Sequence, residues 1–160
     1  MFVLRYASLL ALVVWLGGIV VVATLVAPAT FGVLQAQVPG GGRALAGSVL
    51  AAVFRRFYLV SLACGSFLVL SFVLQAVLGP RPRQFGIRTG IAVAMLALTI
   101  YGGSVVSPKM DNLRSVVAAA APEDPARAEM GRLHGLSAAL MLATGLGGLL
   151  LLFWEVREGW

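Results

Sequence analysis

The chain has few of the residues from which proteins build disulfides, metal clusters and catalytic dyads. Its 160 residues include one cysteine, Cys64, and one histidine, His134. A single cysteine excludes an intramolecular disulfide and a cysteine metal cluster, because each needs at least two thiols. Only 11% of the residues are charged and 60% are hydrophobic, so a water-soluble domain would have too little polar surface to cover itself. The sequence therefore predicts an integral membrane protein.

Four apolar runs are long enough to cross the hydrocarbon core of a bilayer, which takes about 20 residues. They cover residues 4–26, 58–78, 86–106 and 136–154. These runs predict an all-α, four-transmembrane-helix bundle of two hairpins, formed by a single domain of residues 1–160 with both termini on one side. No Asp or Glu lies within the runs, which disfavours active ion transport because proton and cation relays need such groups.

The helices are predicted to extend beyond the membrane at one end of the bundle only. The second helix is predicted to start near Arg43, after the "VPGGG" breaker, and to end at Leu78. At 1.5 Å per residue it is about 54 Å long, against roughly 30 Å of hydrocarbon. Glu123 and Asp124 are predicted to start a short helix before the fourth run, where acidic side chains favour a helix N-terminus. These extensions cap one membrane face, here called the capped end.

Helix packing and an internal repeat have their own sequence signals. Small residues four apart predict close packing inside the bundle, with a homodimer seam as the alternative. Trp15, at mid-span, is predicted to be buried. The small residues are Gly86, Gly90 and Ala94 in the third run, and Gly131, Gly135 and Ala139 before and in the fourth. The segments "RFYLVSLA" and "RLHGLSAA" align so that Arg56 pairs with Arg132, Tyr58 with His134 and Ser61 with Ser137. Two related hairpins explain this alignment, and chance similarity between apolar helices is the alternative.

A layer of basic residues is predicted at the membrane boundary of the capped end. Arg55 and Arg56 lie just before the second run and about level with Lys109 and Arg132, while Asp111 and Glu129 are the nearest counter-charges. One interpretation is an ion network that ties the helix extensions together. The other is a pocket for an anionic headgroup or solute, because the cations outnumber the acids and such pockets bind lipid headgroups. The candidate ligand-binding residues are Arg55, Arg56, Tyr58, Lys109, Arg132, His134 and Ser137.

His134 also lies on one helical face with Met130, Ser137 and Met141. Imidazole and thioether groups suit copper(I) or haem iron, and Met110 is a further soft donor. Methionine at helical spacing is more often core filling, so we expect no metal and no cofactor. Ser137 and His134 lack an orienting third group and an oxyanion hole, so we do not expect an enzyme.

Four short motifs along the chain resemble one known family. They are "WLGGIVVVATLVAPATF", "VFRRFY", "SPKM" and "GRLHGLS", and in this order they are similar to the four-helix membrane proteins typified by transmembrane protein 205, whose domain is of unknown function. The resemblance implies a four-span bundle. It implies as motif residues Pro28, Phe31, Phe54, Phe57, Pro108, His134, Gly135 and Ser137. The first helix is also similar to the copper-resistance D membrane family, which is expected to carry more histidines.

The sequence therefore predicts a non-enzymatic, multi-pass integral membrane protein. Its expected role is to bind an anionic lipid, a small solute or a partner protein at the arginine-rich layer of the capped end. A copper- or haem-handling protein that uses His134 and nearby methionines is one alternative, and an accessory subunit of a larger membrane complex is another. Expected partners are membrane lipids and a homo-oligomer or membrane complex. Nucleic acid is not expected, because most of the arginines behind the net charge of +6 flank apolar runs, where anionic headgroups attract them.

Overall fold

The computed structural model describes residues 2–78, 84–119, 121 and 123–158. The described residues form four long helices and no strand. They are α1 (Phe2–Gln37), α2 (Gly42–Leu78), α3 (Phe85–Ala119) and α4 (Pro125–Glu158). All four are long and apolar enough to cross a membrane, and each contains one of the predicted apolar runs. The prediction of an all-α, four-span membrane bundle is confirmed.

The connections at the capped end follow from local sequence. Between α1 and α2 the chain turns at Gly40, which has a φ of +81°, a conformation that glycine adopts without steric cost. Gly42 then starts α2, one residue from the predicted start at Arg43, and it lies so close to α1 that a Cβ atom on it would be 2.8 Å from Gln35 Cα. Before α4, Asp124 Oδ1 accepts a hydrogen bond of 2.8 Å from the Ala126 amide, which is an N-cap. The helix it starts is one rod of 34 residues, so the predicted short helix is wrong: nothing after Pro125 interrupts it.

Both odd-numbered helices widen for one turn before a proline. The turn is π-helical over Val22–Val26 in α1 and over Gly102–Val106 in α3. Pro28 and Pro108 follow, and each lacks an N–H and brings its ring toward the carbonyl four residues earlier. The wider turn accommodates this conflict, so neither helix ends at its proline. The predicted motif residues Pro28 and Pro108 therefore mark matching bulges in two continuous helices.

The helices pack as a ring in which α1 and α3 each contact α2 and α4. The buried core lies in the half of the bundle away from the capped end and consists of Leu12, Trp15, Leu16, Leu68, Phe72, Ala92, Met95 and Leu151. Trp15 is 1% exposed, as predicted. The start of α1 and the end of α4 lie at the opposite end of the bundle from the capped end, where Arg5 contacts Glu155, and we call this the terminal end.

The two hairpins have the same packing register. Buried positions of α1 recur 80 residues later in α3, as at Leu12 with Ala92 and at Trp15 with Met95. The two π-helical turns are also 80 residues apart. In α2 and α4 the offset is 76 residues, the predicted alignment, and it pairs buried Phe72 with buried Gly148. The predicted relation between the hairpins is therefore present in their packing.

The predicted small-residue contacts do not form. A Cβ atom built on Gly86, Gly90, Gly131 or Gly135 would meet no atom within 4 Å, and Ala94 and Ala139 are exposed. Close helix contacts occur at other glycines. Gly65 lies beneath Trp15 and Leu96, and Gly103 lies beneath the Tyr58 ring. Four-residue spacing was a poor guide because it does not say which face of a helix points inward.

Candidate functional site

One carboxylate bridges two arginines at the capped end. Asp111 Oδ2 accepts a bond of 3.4 Å from Arg55 Nη2, and Asp111 Oδ1 lies 3.4 Å from Arg114 Nε. Arg114 also donates through Nη1 to the Gly47 carbonyl of α2. The Arg55 side chain is 75% exposed, and those of Asp111 and Arg114 are 32% and 31% exposed. We call Arg55, Asp111 and Arg114 the capped-end cluster.

The local sequence explains why this cluster lies across the α2–α3 seam. Asp111 and Arg114 are three residues apart, so they share one face of α3 beyond its π-helical turn. Arg55 precedes Tyr58 by three residues on α2. The Tyr58 hydroxyl lies 3.1 Å from Ser104 Oγ, and its ring covers Gly103. The α2–α3 seam is thus held by Tyr58–Ser104 and, farther from the core, by the capped-end cluster.

The other predicted binding residues are not drawn into this cluster. Arg56, Lys109, Arg132 and His134 are exposed and form no hydrogen bond or ion pair within the described part of the chain. Ser137 is partly buried. Of the seven predicted binding residues, the structure places Arg55 beside Asp111 and Tyr58 beside Ser104, while the rest lie near the same end. Their role in ligand binding stays a prediction.

The second seam of the ring lacks comparable links. The counterpart of Tyr58 in α4 is His134, and the counterpart of Ser104 in α1 is Thr24. Thr24 donates instead to the Val20 carbonyl, at 2.7 Å, and His134 is exposed. Among the described residues, no hydrogen bond or ion pair joins α4 to α1 in the capped half. The two seams therefore differ although the hairpins share one register.

The remaining predicted residues are spread over the same half. Phe31, Phe54 and the soft donors Met110 and Met130 are partly buried, and Pro28, Pro108 and Gly135 are exposed. The Phe57 ring packs on Gly18 of α1. The described residues contain no group of three or more His, Cys, Asp or Glu side chains that could hold a metal ion.

An open depression of about 270 Å³ lies at the α1–α2 turn. It is lined by Gln35, Val38, Gly40, Gly42 and Arg43.

A second carboxylate-bridged arginine pair at the terminal end was missed by the sequence analysis. Glu155 Oε2 accepts a bond of 3.2 Å from Arg5 Nε, and Glu155 Oε1 accepts one from Arg88 Nη2. The Arg88 side chain is only 6% exposed and that of Glu155 10%, and the Arg88 guanidinium lies 5.8 Å from the centre of the Phe72 ring. We call Arg5, Arg88 and Glu155 the terminal-end clamp, because it joins α1, α3 and α4.

A sequence signal for this clamp existed. Arg88 lies inside the third apolar run, where an arginine is costly unless it has a partner or reaches the interface. Glu155 follows the last residue of the fourth run, so counting acids only inside the runs overlooked it. The partner of Arg88 is supplied by another helix at the same level, α4.

Four long apolar helices in two hairpins, with polar clusters at both ends, define a multi-pass membrane protein of the four-helix class. A family model described as a domain of unknown function, DUF4149, matches residues 10–119. The chain belongs to this family. The matched segment contains the whole capped-end cluster and ends before α4. No curated protein and no solved structure matches the chain.

Proposed function

We propose that this protein is a non-enzymatic membrane protein whose capped end binds the phosphate of an anionic lipid headgroup. The observation that carries the proposal is the excess of exposed cations at that end. Arg56, Lys109 and Arg132 come from three different helices, are exposed and lack a polar partner within the described residues. Among the described residues, Asp111 supplies the carboxylate within bonding distance of the basic layer, and it is shared by Arg55 and Arg114.

The depth of these cations supports a lipid as the ligand. Arg56 precedes the second apolar run by two residues, Lys109 follows the third by three and Arg132 precedes the fourth by four. Side chains at these positions lie where the hydrocarbon core meets the headgroups. A basic residue near an anionic membrane surface contributes about 1 kcal/mol of attraction, which is about fivefold in affinity.

We also propose that the family kinship extends to the proteins typified by transmembrane protein 205. Three of the four motifs that carry this resemblance lie within the segment matched by the DUF4149 model, and the fourth, "GRLHGLS", follows it. The four-helix architecture agrees with this kinship. Comparing the structures of both proteins, each determined in lipid, tests it: paired π-helical turns before the prolines of the first and third helices are expected in both.

Binding is tested by native mass spectrometry of the detergent-purified protein. Phosphatidylglycerol and phosphatidylcholine with identical acyl chains are titrated separately, and we expect tighter binding of phosphatidylglycerol. The preference should shrink as salt rises, because exposed charges are screened within about 8 Å at physiological ionic strength. Equal affinity for the two lipids would contradict the proposal.

Matched single variants locate the site. Arg56→Gln removes an exposed charge at the capped end, and Arg157→Gln removes an exposed charge at the terminal end. We expect Arg56→Gln to weaken phosphatidylglycerol binding about two- to fivefold and Arg56→Gln with Lys109→Gln to weaken it further. Arg157→Gln should leave binding unchanged. An equal loss in both single variants would mean general attraction of a basic protein to anionic lipid.

A further inference from the structure

The capped-end cluster is arranged so that its internal carboxylate is easily displaced. Asp111 contacts Arg55 and Arg114 at 3.4 Å each, longer than the 2.7–2.9 Å of a strong charge-assisted hydrogen bond. All three side chains are reached by solvent. Exposed ion pairs contribute little to stability, so an incoming anion meets little resistance.

The two arginines differ in how firmly they are held. Arg114 also donates to the Gly47 carbonyl, so it keeps one contact on α2 when Asp111 moves away. Arg55 is bonded to Asp111, and three quarters of its side chain is exposed. Arg55 is therefore the side chain free to exchange one anion for another, and Arg114 holds the local geometry.

We propose that Arg55 joins the exposed cations of the phosphate site, and that Asp111 competes with the phosphate for Arg55 and determines which headgroups the site accepts. The inference rests on the proposed function and names the residue that regulates that site. A phosphate takes the place of the Asp111 carboxylate on Arg55, whose planar guanidinium binds phosphate through two parallel N–H bonds.

The displaced carboxylate stays close to the bound phosphate, because Asp111 lies on the turn of α3 next to Arg55. It repels the phosphate, and the repulsion grows with the charge of the headgroup. The site therefore selects a phosphodiester with one negative charge over a phosphomonoester, whose charge approaches two well above its second pKa.

The test compares phosphatidylglycerol, a phosphodiester, with phosphatidic acid, a phosphomonoester, by native mass spectrometry above that pKa. We expect Asp111→Asn to tighten phosphatidylglycerol binding about two- to fivefold, the worth of an exposed charge pair, and phosphatidic acid binding by a larger factor. The matched control is Glu129→Gln, which removes an exposed acid at the same end. Weaker binding by Asp111→Asn, or an equal gain in Glu129→Gln, would overturn the inference.

A double-variant cycle separates competition from a structural effect. In an Arg55→Gln background the arginine that Asp111 occupies is missing. Adding Asp111→Asn there should give at most half of the gain in phosphatidylglycerol affinity that it gives in the wild-type protein. An undiminished gain there means that Asp111 acts elsewhere, and it overturns the inference. Thermal unfolding of each variant in detergent shows whether the fold is kept, and a variant that loses it is replaced by Asp111→Ser in the same cycle.

The outcomes distinguish this inference from the proposed function. A wild-type protein without preference for phosphatidylglycerol overturns both. A wild-type preference that Asp111→Asn lowers overturns only the inference. Calorimetric titration with inorganic phosphate identifies the source of the phosphate. If inorganic phosphate binds and competes with phosphatidylglycerol, the site recognises the phosphate group itself. If inorganic phosphate does not bind, the site needs the whole lipid. Asp111→Asn must strengthen whichever of the two the wild-type protein binds.

Discussion

At the scale of single residues, the chain has two clusters of the same kind, each with one carboxylate between two arginines, and the two differ in solvent exposure. Glu155 and Asp111 each bridge two arginines. The Glu155 side chain is 10% exposed and one of its partners, Arg88, is 6% exposed. Breaking an ion pair in a low-dielectric interior is costly, because the remaining charge loses its counter-charge away from water. Burial therefore makes the terminal-end clamp a structural element and leaves the capped-end cluster exchangeable.

This contrast predicts different losses of stability from the same chemical change. Glu155→Gln should lower the free energy of unfolding by about 3–5 kcal/mol, the cost of breaking a buried pair. Asp111→Asn should cost about 0–1 kcal/mol, as expected for exposed pairs. Thermal or denaturant unfolding in one detergent measures both. A Glu155→Gln protein as stable as the Asp111→Asn protein would show that the terminal-end clamp stabilises the fold no more than an exposed ion pair does.

At the scale of helices, contact is decided by where each glycine faces. Gly65 of α2 is buried under Trp15 and Leu96, and this lets α1 and α3 approach α2 closely. Gly90 of α3 belongs to a regular small-residue stripe, yet its surroundings are open. Close approach matters in a bilayer, because helices there gain no hydrophobic driving force from association and depend on packing.

A pair of alanine substitutions tests this difference. At Gly65 a Cβ atom would lie 2.9 Å from both Trp15 and Leu96, so Gly65→Ala should destabilise the bundle by about 1–3 kcal/mol through overpacking. Gly90→Ala should be neutral or stabilise it by up to about 1 kcal/mol, because alanine is the better helix former. The midpoint of thermal unfolding in detergent reports both. Equal shifts in the two variants would contradict the packing described for Gly65.

The helices themselves were predictable from the sequence, and their inward faces were not. Apolar runs located all four, because a bilayer imposes a minimum length of apolar chain. The "VPGGG" segment placed the start of α2 within one residue. Inward faces depend on helix rotation, which the uniformly apolar sides of membrane helices do not encode, so Gly65 and the Arg88–Glu155 pair were missed. Arg55 and Asp111 were found because charged residues at a span boundary are few and must lie at similar depth.

At the scale of the whole molecule, two hairpins with one packing register form a ring whose two seams differ. Three contacts join α2 to α3 in the capped half: Tyr58–Ser104, Arg55–Asp111 and Arg114–Gly47. The α4–α1 seam is joined at the terminal end by Arg5 and Glu155 and has no polar link in the capped half among the described residues. A tether at only one end leaves α1 and α4 freer to separate at the other.

This asymmetry predicts unequal freedom of motion, which pulsed electron spin resonance can measure. In a Cys64→Ser background, one pair of spin labels at Arg56 and Lys109 spans the α2–α3 seam. The equivalent pair at Arg132 and Ala29 spans the α4–α1 seam, and all four positions are exposed. We expect a narrow distance distribution for the first pair and a broader one for the second. Adding Tyr58→Phe, Arg114→Gln and Asp111→Asn removes all three links, so the first distribution should broaden toward the second. A pair of labels on α1 and α4 near the Arg5–Glu155 contact, with both of these residues kept, serves as the tethered control. Equal distribution widths for the two seams before the links are removed would refute the asymmetry.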